Sequence, residues 1–165
     1  MVHKIIGLVG RARSGKDTVA NFFRQTHILR RFAQPMKDAV KALYGWSDIA
    51  IENLKDAPDP YWGLTPRAAM IHMAETTKKL VSQDFFVKRL FGDWSGEPIV
   101  IADVRYENEV QAIHERGGIT IKIKRSSVPK HEFEDQIDEL QTTYEVGNDG
   151  TLHDLRVEIE RLSGI

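Results

Sequence analysis

A short stretch near the start of the chain has the residue types and the spacing needed to hold a phosphate group. It reads Gly10-Arg11-Ala12-Arg13-Ser14-Gly15-Lys16-Asp17-Thr18, and a four-residue gap separates Gly10 from the Gly15-Lys16 pair. Glycines let the backbone curl until successive N–H groups face one anion, and a following helix adds the positive end of its dipole. Lys16 can reach the outer phosphates of a nucleotide and stabilise charge as a phosphoryl group moves. The pattern is that of a Walker A phosphate loop.

The residues after Lys16 depart from the strict form of that pattern. Asp17 takes the place of the hydroxyl residue, and Thr18 follows one position later. We therefore expect Thr18 to contact phosphate or the metal shell, and Asp17 to point away from phosphate or toward a cation. The order Gly-Lys-x-Thr is more typical of small-molecule and nucleotide kinases than of switch GTPases. The alternative is a glycine-rich turn that happens to contain lysine, but the stretch lies between an apolar run and a predicted helix, as a phosphate loop requires.

A second candidate for chemistry is Asp103-Val104-Arg105, which follows an apolar run. Ligands of open α/β sheets bind at the carboxyl ends of strands, so Asp103 should lie beside the phosphate loop if the two strands are neighbours. Its carboxylate could hold Mg²⁺, directly or through water, or accept a proton from the acceptor, and Arg105 could neutralise transition-state charge. The alternative is that Asp103 caps the next helix and Arg105 is solvated. No Asn-Lys-x-Asp segment for reading guanine occurs, which argues against a switch GTPase.

The elements that must position these residues alternate between strand and helix. Continuous apolar runs predict buried strands at residues 4–9 and 98–102, whereas residues 119–123 alternate with Thr and Lys and predict a strand with one wetter face. Glycines, prolines and aspartates predict that residues 45–64 are irregular. The alternation predicts an α/β fold of three layers, with an approximately five-stranded parallel sheet and helices on both faces.

Two helix starts have clear capping signals. Thr65-Pro66 combines an N-cap with proline at the first helical position, and Thr151 to Asp154 resembles a capping box. The last helix is predicted to bury one stripe, formed by Leu152, Leu155, Ile159 and Leu162.

Composition limits the classes of function. The chain has 165 residues, 41% of them apolar, and its 23 basic and 24 acidic residues give a net charge of −1. This balance gives no electrostatic case for long nucleic acid or an anionic membrane, and no run is long enough to span one. The chain has no cysteine, which excludes disulfides and thiol chemistry and fits a cytoplasmic protein. We expect a single domain over residues 1–165, and the sequence leaves the oligomeric state open, a homodimer included.

Taken together, these residues resemble the deoxynucleoside monophosphate kinases of the bacteriophage type. The resemblance covers most of the chain, in order, and its segments are Ser14 to Thr18, Phe32 to Lys37, Thr65 to Arg67, Asp84 to Val87, Asp103 to Arg105 with Asn108 to Val110, and Asn148 to Thr151. Only the phosphate loop is a specific motif by itself, but six matching segments in the same order are much stronger evidence for the resemblance. A phage source would place the protein in the host cytoplasm.

The resemblance implies a P-loop kinase that uses ATP and Mg²⁺ to phosphorylate a deoxynucleoside monophosphate. It implies catalytic roles for Lys16, Asp103 and Arg105 and metal contacts from Thr18 and Asp103. The implied ATP-binding residues are Gly10, Arg13, Ser14, Gly15, Lys16, Asp17, Thr18 and Arg125. The implied acceptor-binding residues are Arg11, Phe32, Lys37, Trp62, Arg67 and Lys79. Residues 45–94 would be an acceptor-side helical insertion, and residues 125–140 a lid-like segment containing Lys130 and His131.

The chain departs from the family pattern at two places. The arginine expected near the end of the acceptor helix is replaced by Lys78 and Lys79, which keep the charge but lose the bidentate fork. In the lid, Phe133 takes the position of a serine.

Several alternatives stay open at this point. Lys37 could be a surface lysine, and Trp62 could pack the insertion down instead of stacking on a base. The acceptor could be dephospho-coenzyme A or a phosphorylated metabolite, and the chain could bind nucleotide without transferring phosphate.

Overall fold

The computed structural model describes residues 3–128 and 135–164, without the side chain of Asp135. The chain divides into two compact units. Residues up to 32 together with those from 90 onward form the first, which holds every strand and is called the sheet unit here; residues 33–89 form the second, the helical unit.

The sheet unit is built on five parallel strands, as the alternation of elements predicts. They are β1 (Ile5–Val9), β2 (Ile28–Arg30), β3 (Ile99–Val104), β4 (Ile119–Lys124) and β5 (Tyr144–Gly147), in the order β2-β3-β1-β4-β5. β1 pairs with β3 on one side and with β4 on the other. Because all pairs are parallel, the loops that leave β1, β3, β4 and β5 start from the same edge of the sheet.

Helices cover both faces of the sheet. The side chains of Ile6 and Leu8 belong to a buried cluster with residues of α1 (Lys16–Phe22) and α8 (Leu152–Ser163). On the opposite face, Ile113 of α6 (Glu107–His114) lies so close to Gly7 that an added Cβ would be 2.6 Å from it. A larger residue at position 7 would force the Ile113 side chain to move, so glycine allows α6 to pack closely on the central strand.

The helical unit contains α2 (Gln34–Tyr44), α3 (Asp48–Glu52), α4 (Pro66–Leu80) and the first part of α5 (Phe85–Gly92). Val40, Trp46, Ile51 and Ala69 form its buried cluster. Thr65 caps α4 as predicted, because its hydroxyl accepts a hydrogen bond of 3.1 Å from the Ala68 N–H. The prediction that residues 45–64 are irregular is wrong at α3, which Ser47 caps by accepting from the Ala50 N–H.

Two sequence predictions about exposure are wrong. Leu152 was expected in the buried stripe of α8, but 60% of its surface is exposed, and Leu155 and Ile159 form the buried contact. β4 was expected to have one wetter face, but Thr120 and Lys122 on that face are buried.

Lys122 is buried because its ammonium group has partners inside the fold. Its Nζ donates to the carbonyl oxygens of Asp138 and Leu140, at 2.9 and 2.7 Å, and lies 3.1 Å from a carboxylate oxygen of Glu145. Asp138 belongs to α7 (Asp135–Glu139), so a lysine of the sheet holds the end of this helix. A buried lysine without such partners would be strongly unfavourable. None of the helices within residues 3–128 and 135–164 is long and apolar enough to cross a lipid bilayer.

Replacing Lys122 by methionine should lower the free energy of unfolding by about 2 kcal/mol, because two half-buried or buried carbonyls lose their donor. Lys124→Met is the matched control, since Lys124 is on the same strand and also pairs with Glu145 but is exposed. Urea unfolding followed by circular dichroism measures both variants. Equal effects of the two substitutions would contradict the buried role of Lys122.

Candidate active site

The phosphate loop lies between β1 and α1, at the carboxyl end of the central strand. Its backbone turns sharply: the Ser14 N–H donates to the Arg11 carbonyl at 3.2 Å, and the Val19 N–H donates to that of Gly15 at 3.0 Å. Arg13 has φ 65°, a left-handed conformation that costs a non-glycine residue roughly 1 kcal/mol. Gly15, at φ 108°, begins α1. Strained backbone of this kind is often found where a loop must present its N–H groups to a ligand.

Lys16 and Ser14 are arranged as an anion-binding loop requires. The Lys16 ammonium donates to the carbonyl oxygens of Gly10 and Arg11, at 2.6 and 2.7 Å, so it lies across the loop that it belongs to. The Ser14 hydroxyl is buried and has no hydrogen-bond partner among the residues that the structure describes. Buried hydroxyls in folded proteins are normally satisfied, so the Ser14 hydroxyl is an exception inside the turn of the loop.

Six side chains or backbones line a cleft of about 230 Å³ beside the loop: Arg13, Gly15, Lys16, Asp17, Thr18 and Arg125. All six were predicted from the sequence to bind ATP, and the fold brings Arg125, at the end of β4, next to the loop after β1. Three cations and one carboxylate make the cleft positive. Of the predicted lid, Lys130 and His131 lie outside the described residues.

The sequence predicted that Asp17 would point either away from phosphate or toward a cation, and in the structure it points toward a cation. Its carboxylate accepts a hydrogen bond of 2.6 Å from the Arg31 guanidinium, one residue after β2. This pairing offsets the negative charge next to Lys16. Sequence reasoning missed Arg31, since nothing in the local pattern indicates which strand end the Asp17 side chain would meet.

Asp103 lies at the end of β3, directly beside the central strand. Gly7 pairs with Ile101 and Val9 with Val104, so two residues of β3, Ala102 and Asp103, lie opposite one residue of β1. Such a bulge re-aims a side chain, and the strand runs to Val104 instead of ending before Asp103 as predicted. The Asp103 carboxylate accepts a hydrogen bond of 2.8 Å from the backbone N–H of Phe32.

Arg105 is exposed, and its backbone is held by a buried carboxylate. Glu109 of α6 accepts from the backbone N–H groups of Arg105 and Tyr106, at 2.7 and 3.1 Å. The helix after β3 is therefore capped by Glu109 from inside, so Asp103 is not its cap.

Arg11 and Phe32, predicted to contact the acceptor, are both engaged within the sheet unit. The Arg11 guanidinium pairs with Asp138 of α7, and the Arg11 side chain is only 14% exposed. Phe32 is buried, with its ring edge-to-face to that of Phe91. Sequence reasoning missed Asp138, because no local pattern connects two residues that are 127 positions apart.

The remaining acceptor-side candidates lie in the helical unit. Lys37 of α2 donates to Glu52 at 2.6 Å, and Arg67 of α4 pairs with Asp56 through two nitrogen atoms, one of them at 3.1 Å. Their carboxylate partners are four residues apart: Glu52 is the last residue of α3, and Asp56 lies in the segment that follows it. Lys79, in the last turn of α4, is exposed.

Trp62 is fixed to its own unit. Its indole N–H donates to the Tyr44 carbonyl at 3.1 Å, and its ring meets those of Tyr44 and Tyr61 edge-on, while 45% of its surface stays exposed. Asp59 orders this loop by accepting from the Trp46 indole and the Trp62 N–H. The Trp62 N–H and the Trp46 indole lower the pKa of Asp59 below its ordinary value.

The turn after β5 contacts both the phosphate loop and the residue that follows Arg125. The Asn148 side chain donates to the Ser14 carbonyl at 2.8 Å, and Asp149 accepts from the Ser126 N–H and hydroxyl at 2.9 and 2.8 Å. Those two bonds and the charge of Arg125 lower the pKa of Asp149. The sequence pointed to the Asn148 turn only as part of the family resemblance, with no role for its side chains.

The chain is similar in sequence or in structure to several known proteins. A protein of Acanthamoeba polyphaga mimivirus named "Putative deoxynucleotide monophosphate kinase" is 33% identical, over 75% of this chain and 75% of its own. The crystal structure of TT1252 from Thermus thermophilus aligns over 100% of this chain and 99% of its own, at 17% identity and a TM-score of 0.52. A shikimate kinase from Acinetobacter baumannii aligns over 97% and 92%, at 13% identity and a TM-score of 0.49. No protein-family model matches the chain.

A parallel sheet with this strand order and a phosphate loop after its central strand define a kinase of the P-loop fold. The likeness to the Thermus protein concerns the fold alone. The identity to the mimivirus protein extends further, and the chain belongs to the deoxynucleotide monophosphate kinase family.

Gly15→Ala should destabilise the protein more than Gly117→Ala. Both glycines have positive φ, so each alanine is strained by roughly 1–2 kcal/mol. A Cβ at position 117 meets nothing within 4 Å, but one at position 15 would collide with the Asn148 amide nitrogen. Denaturant unfolding of the two variants measures the difference, and a Gly15→Ala protein as stable as Gly117→Ala would contradict the close contact with Asn148.

Proposed function

We propose that the protein transfers the terminal phosphate of ATP to a deoxynucleoside monophosphate, giving a deoxynucleoside diphosphate and ADP. The observation that carries the proposal is the phosphate loop with Lys16 across it, beside a cleft lined by Arg13 and Arg125. Membership of the family supports the choice of acceptor.

The chain's own groups suit such a transfer. An oxygen of the acceptor phosphate attacks the γ-phosphorus in line, the bond to the β–γ bridging oxygen breaks, and ADP leaves with that electron pair. No protein nucleophile is needed, so the residues act by holding both phosphates and by stabilising charge. Lys16, Arg125 and Arg105 are the cations proposed for the transferring group.

Mg²⁺ would fit at the edge of the cleft. Thr18 lines the cleft, and Asp103 ends the neighbouring strand, so a hydroxyl and a carboxylate are available as hard oxygen ligands. No group of three or more His, Cys, Asp or Glu side chains that could hold a metal occurs within residues 3–128 and 135–164. In proteins, Mg²⁺ is commonly held by one or two carboxylates, with substrate phosphates and water completing its shell. When bound, Mg²⁺ neutralises charge on the β- and γ-phosphates.

For the acceptor, we propose that its monophosphate binds Lys37 and Arg67. Both cations are held by carboxylates in the helical unit, so a dianionic phosphate would exchange with Glu52 and Asp56. Trp62, Phe32, Arg11 and Lys79 are the further candidates for contacts to the acceptor.

The reaction is tested by ADP release with Mg·ATP and each of the four common deoxynucleoside monophosphates, their ribose counterparts and dephospho-coenzyme A. We expect turnover with at least one deoxynucleoside monophosphate. Turnover with dephospho-coenzyme A alone, or ATP binding without any acceptor-dependent turnover, would overturn the assignment.

Lys16→Ala should lower kcat at least about a hundredfold, because the cation nearest the loop is lost. The free energy of unfolding should fall by about 2 kcal/mol or less, because the carbonyls of Gly10 and Arg11 lose their donor, so turnover is measured on protein shown to be folded. Lys4→Ala, an exposed lysine at the start of β1, is the control and should keep wild-type turnover. Near-normal turnover of Lys16→Ala would show that the site is elsewhere.

Lys37→Gln should raise the KM for the acceptor about tenfold or more, as expected for loss of a charged hydrogen bond. Lys41→Gln is a close control: Lys41 is one turn further along α2, has similar side-chain exposure and also pairs with a carboxylate of α3, Asp48. Steady-state kinetics at saturating ATP measures both variants. Equal changes in acceptor KM would remove Lys37 from the acceptor site.

A further inference from the structure

Asn148 lies where it can control the shape of the phosphate loop. It is the first residue after β5, and its backbone N–H donates to the Lys124 carbonyl at 2.7 Å, which fixes it to the end of β4. Its side chain then reaches past that strand end to the loop after β1, where Nδ2 donates to the Ser14 carbonyl at 2.8 Å. The two residues are 134 positions apart in the sequence, so this contact is a product of the fold.

By holding the Ser14 carbonyl, this hydrogen bond also determines where the N–H on the opposite side of the Ser14–Gly15 peptide points. The described chain has no cis peptide bond, and in a planar trans peptide the C=O and the next N–H point in opposite directions. With the Ser14 carbonyl held toward Asn148, the Gly15 N–H must point away from Asn148. Backbone N–H groups at this point of a phosphate loop, at the start of its helix, are donors for the anion.

Packing reinforces the same orientation. The Asn148 amide lies against Gly15 so closely that a Cβ there would collide with Nδ2. The Asn148 side chain therefore holds one side of the Ser14–Gly15 peptide, both by a hydrogen bond and by close packing.

The neighbouring residue holds the other wall of the cleft. Asp149 accepts from the Ser126 N–H and hydroxyl, and Ser126 follows Arg125, which lines the cleft together with Gly15 and Lys16. One turn thus fixes both the phosphate loop and the backbone that carries Arg125.

We propose that Asn148 is a positioning residue for nucleotide binding, which orients the Ser14–Gly15 peptide so that the Gly15 N–H faces a bound phosphate. This inference rests on the proposed function only in that the loop binds the phosphates of ATP or ADP. It does not depend on which acceptor is used. An amide is required, because an aspartate of the same shape offers no donor to the Ser14 carbonyl.

The test is the affinity of Asn148→Ala and Asn148→Asp for Mg·ADP, measured by titration calorimetry without acceptor. We expect the Kd to rise about five- to tenfold in Asn148→Ala, as for one lost hydrogen bond, and at least as much in Asn148→Asp. In steady-state kinetics the KM for ATP should rise in the same proportion, while the KM for the acceptor stays unchanged. Asn148→Asp keeps the shape of the side chain, so it also serves if the alanine variant does not fold.

The matched control is Thr151→Ala, three residues later in the same turn. Thr151 caps α8 by accepting from the Asp154 N–H at 3.1 Å, and it has no part in the cleft. Its loss should lower the melting temperature but leave the Kd for Mg·ADP unchanged.

The outcomes separate this inference from the proposed function. Wild-type affinity in both Asn148 variants, or equal weakening by Thr151→Ala, would overturn the role of Asn148 alone. Tight Mg·ADP binding without turnover of any deoxynucleoside monophosphate would overturn the acceptor assignment and leave this test valid. A wild-type protein that does not bind Mg·ADP would overturn both.

Discussion

Parallel pairing of β1 with β3 and β4 determines where the candidate groups that follow these three strands lie. It puts the phosphate loop, Asp103 and Arg125 at one edge, although they come from three distant parts of the sequence. A short apolar strand in the centre of a sheet can carry this role because both of its faces are buried, by α1 and α8 on one side and by α6 on the other. The glycine at position 7 belongs to the same constraint, since it sets how closely α6 can approach.

The parts of the molecule that sequence could predict are those that depend on neighbours in the chain. The apolar run before Gly10 and the caps at Thr65 and Thr151 are local, and the structure confirms each of them. The burial of Lys122 could not be read from alternation, because it depends on carbonyl groups of α7 that only the fold brings near. Leu152 was predicted to be buried because it fits the apolar stripe of α8. It is the first residue of that helix and is largely exposed, so the stripe alone does not show where the buried contact begins.

The sequence suggests candidate residues for the site, but it does not predict which carboxylates they pair with. Arg11, Lys37 and Arg67 were identified as cations for an anionic ligand, and in the structure each is held by a carboxylate: Asp138, Glu52 and Asp56. Pairing of this kind keeps basic side chains ordered and limits their attraction for unrelated anions. A phosphate bound by these cations as proposed would have to displace a carboxylate, which would favour a dianion over a monoanion.

The contact between Asn148 and Ser14 also bears on the order in which parts of the structure form during synthesis and folding. Because the two residues are separated by most of the chain, the loop after β1 cannot acquire its final support while only the first four strands have been synthesised. Contacts of such long sequence separation are closed late, since their loop entropy must be offset by structure already formed. A nascent chain without β5 would therefore hold the Walker sequence without its Asn148 contact. If the loop binds nucleotide as proposed, the nucleotide would stabilise the fold most strongly after β5 had joined the sheet.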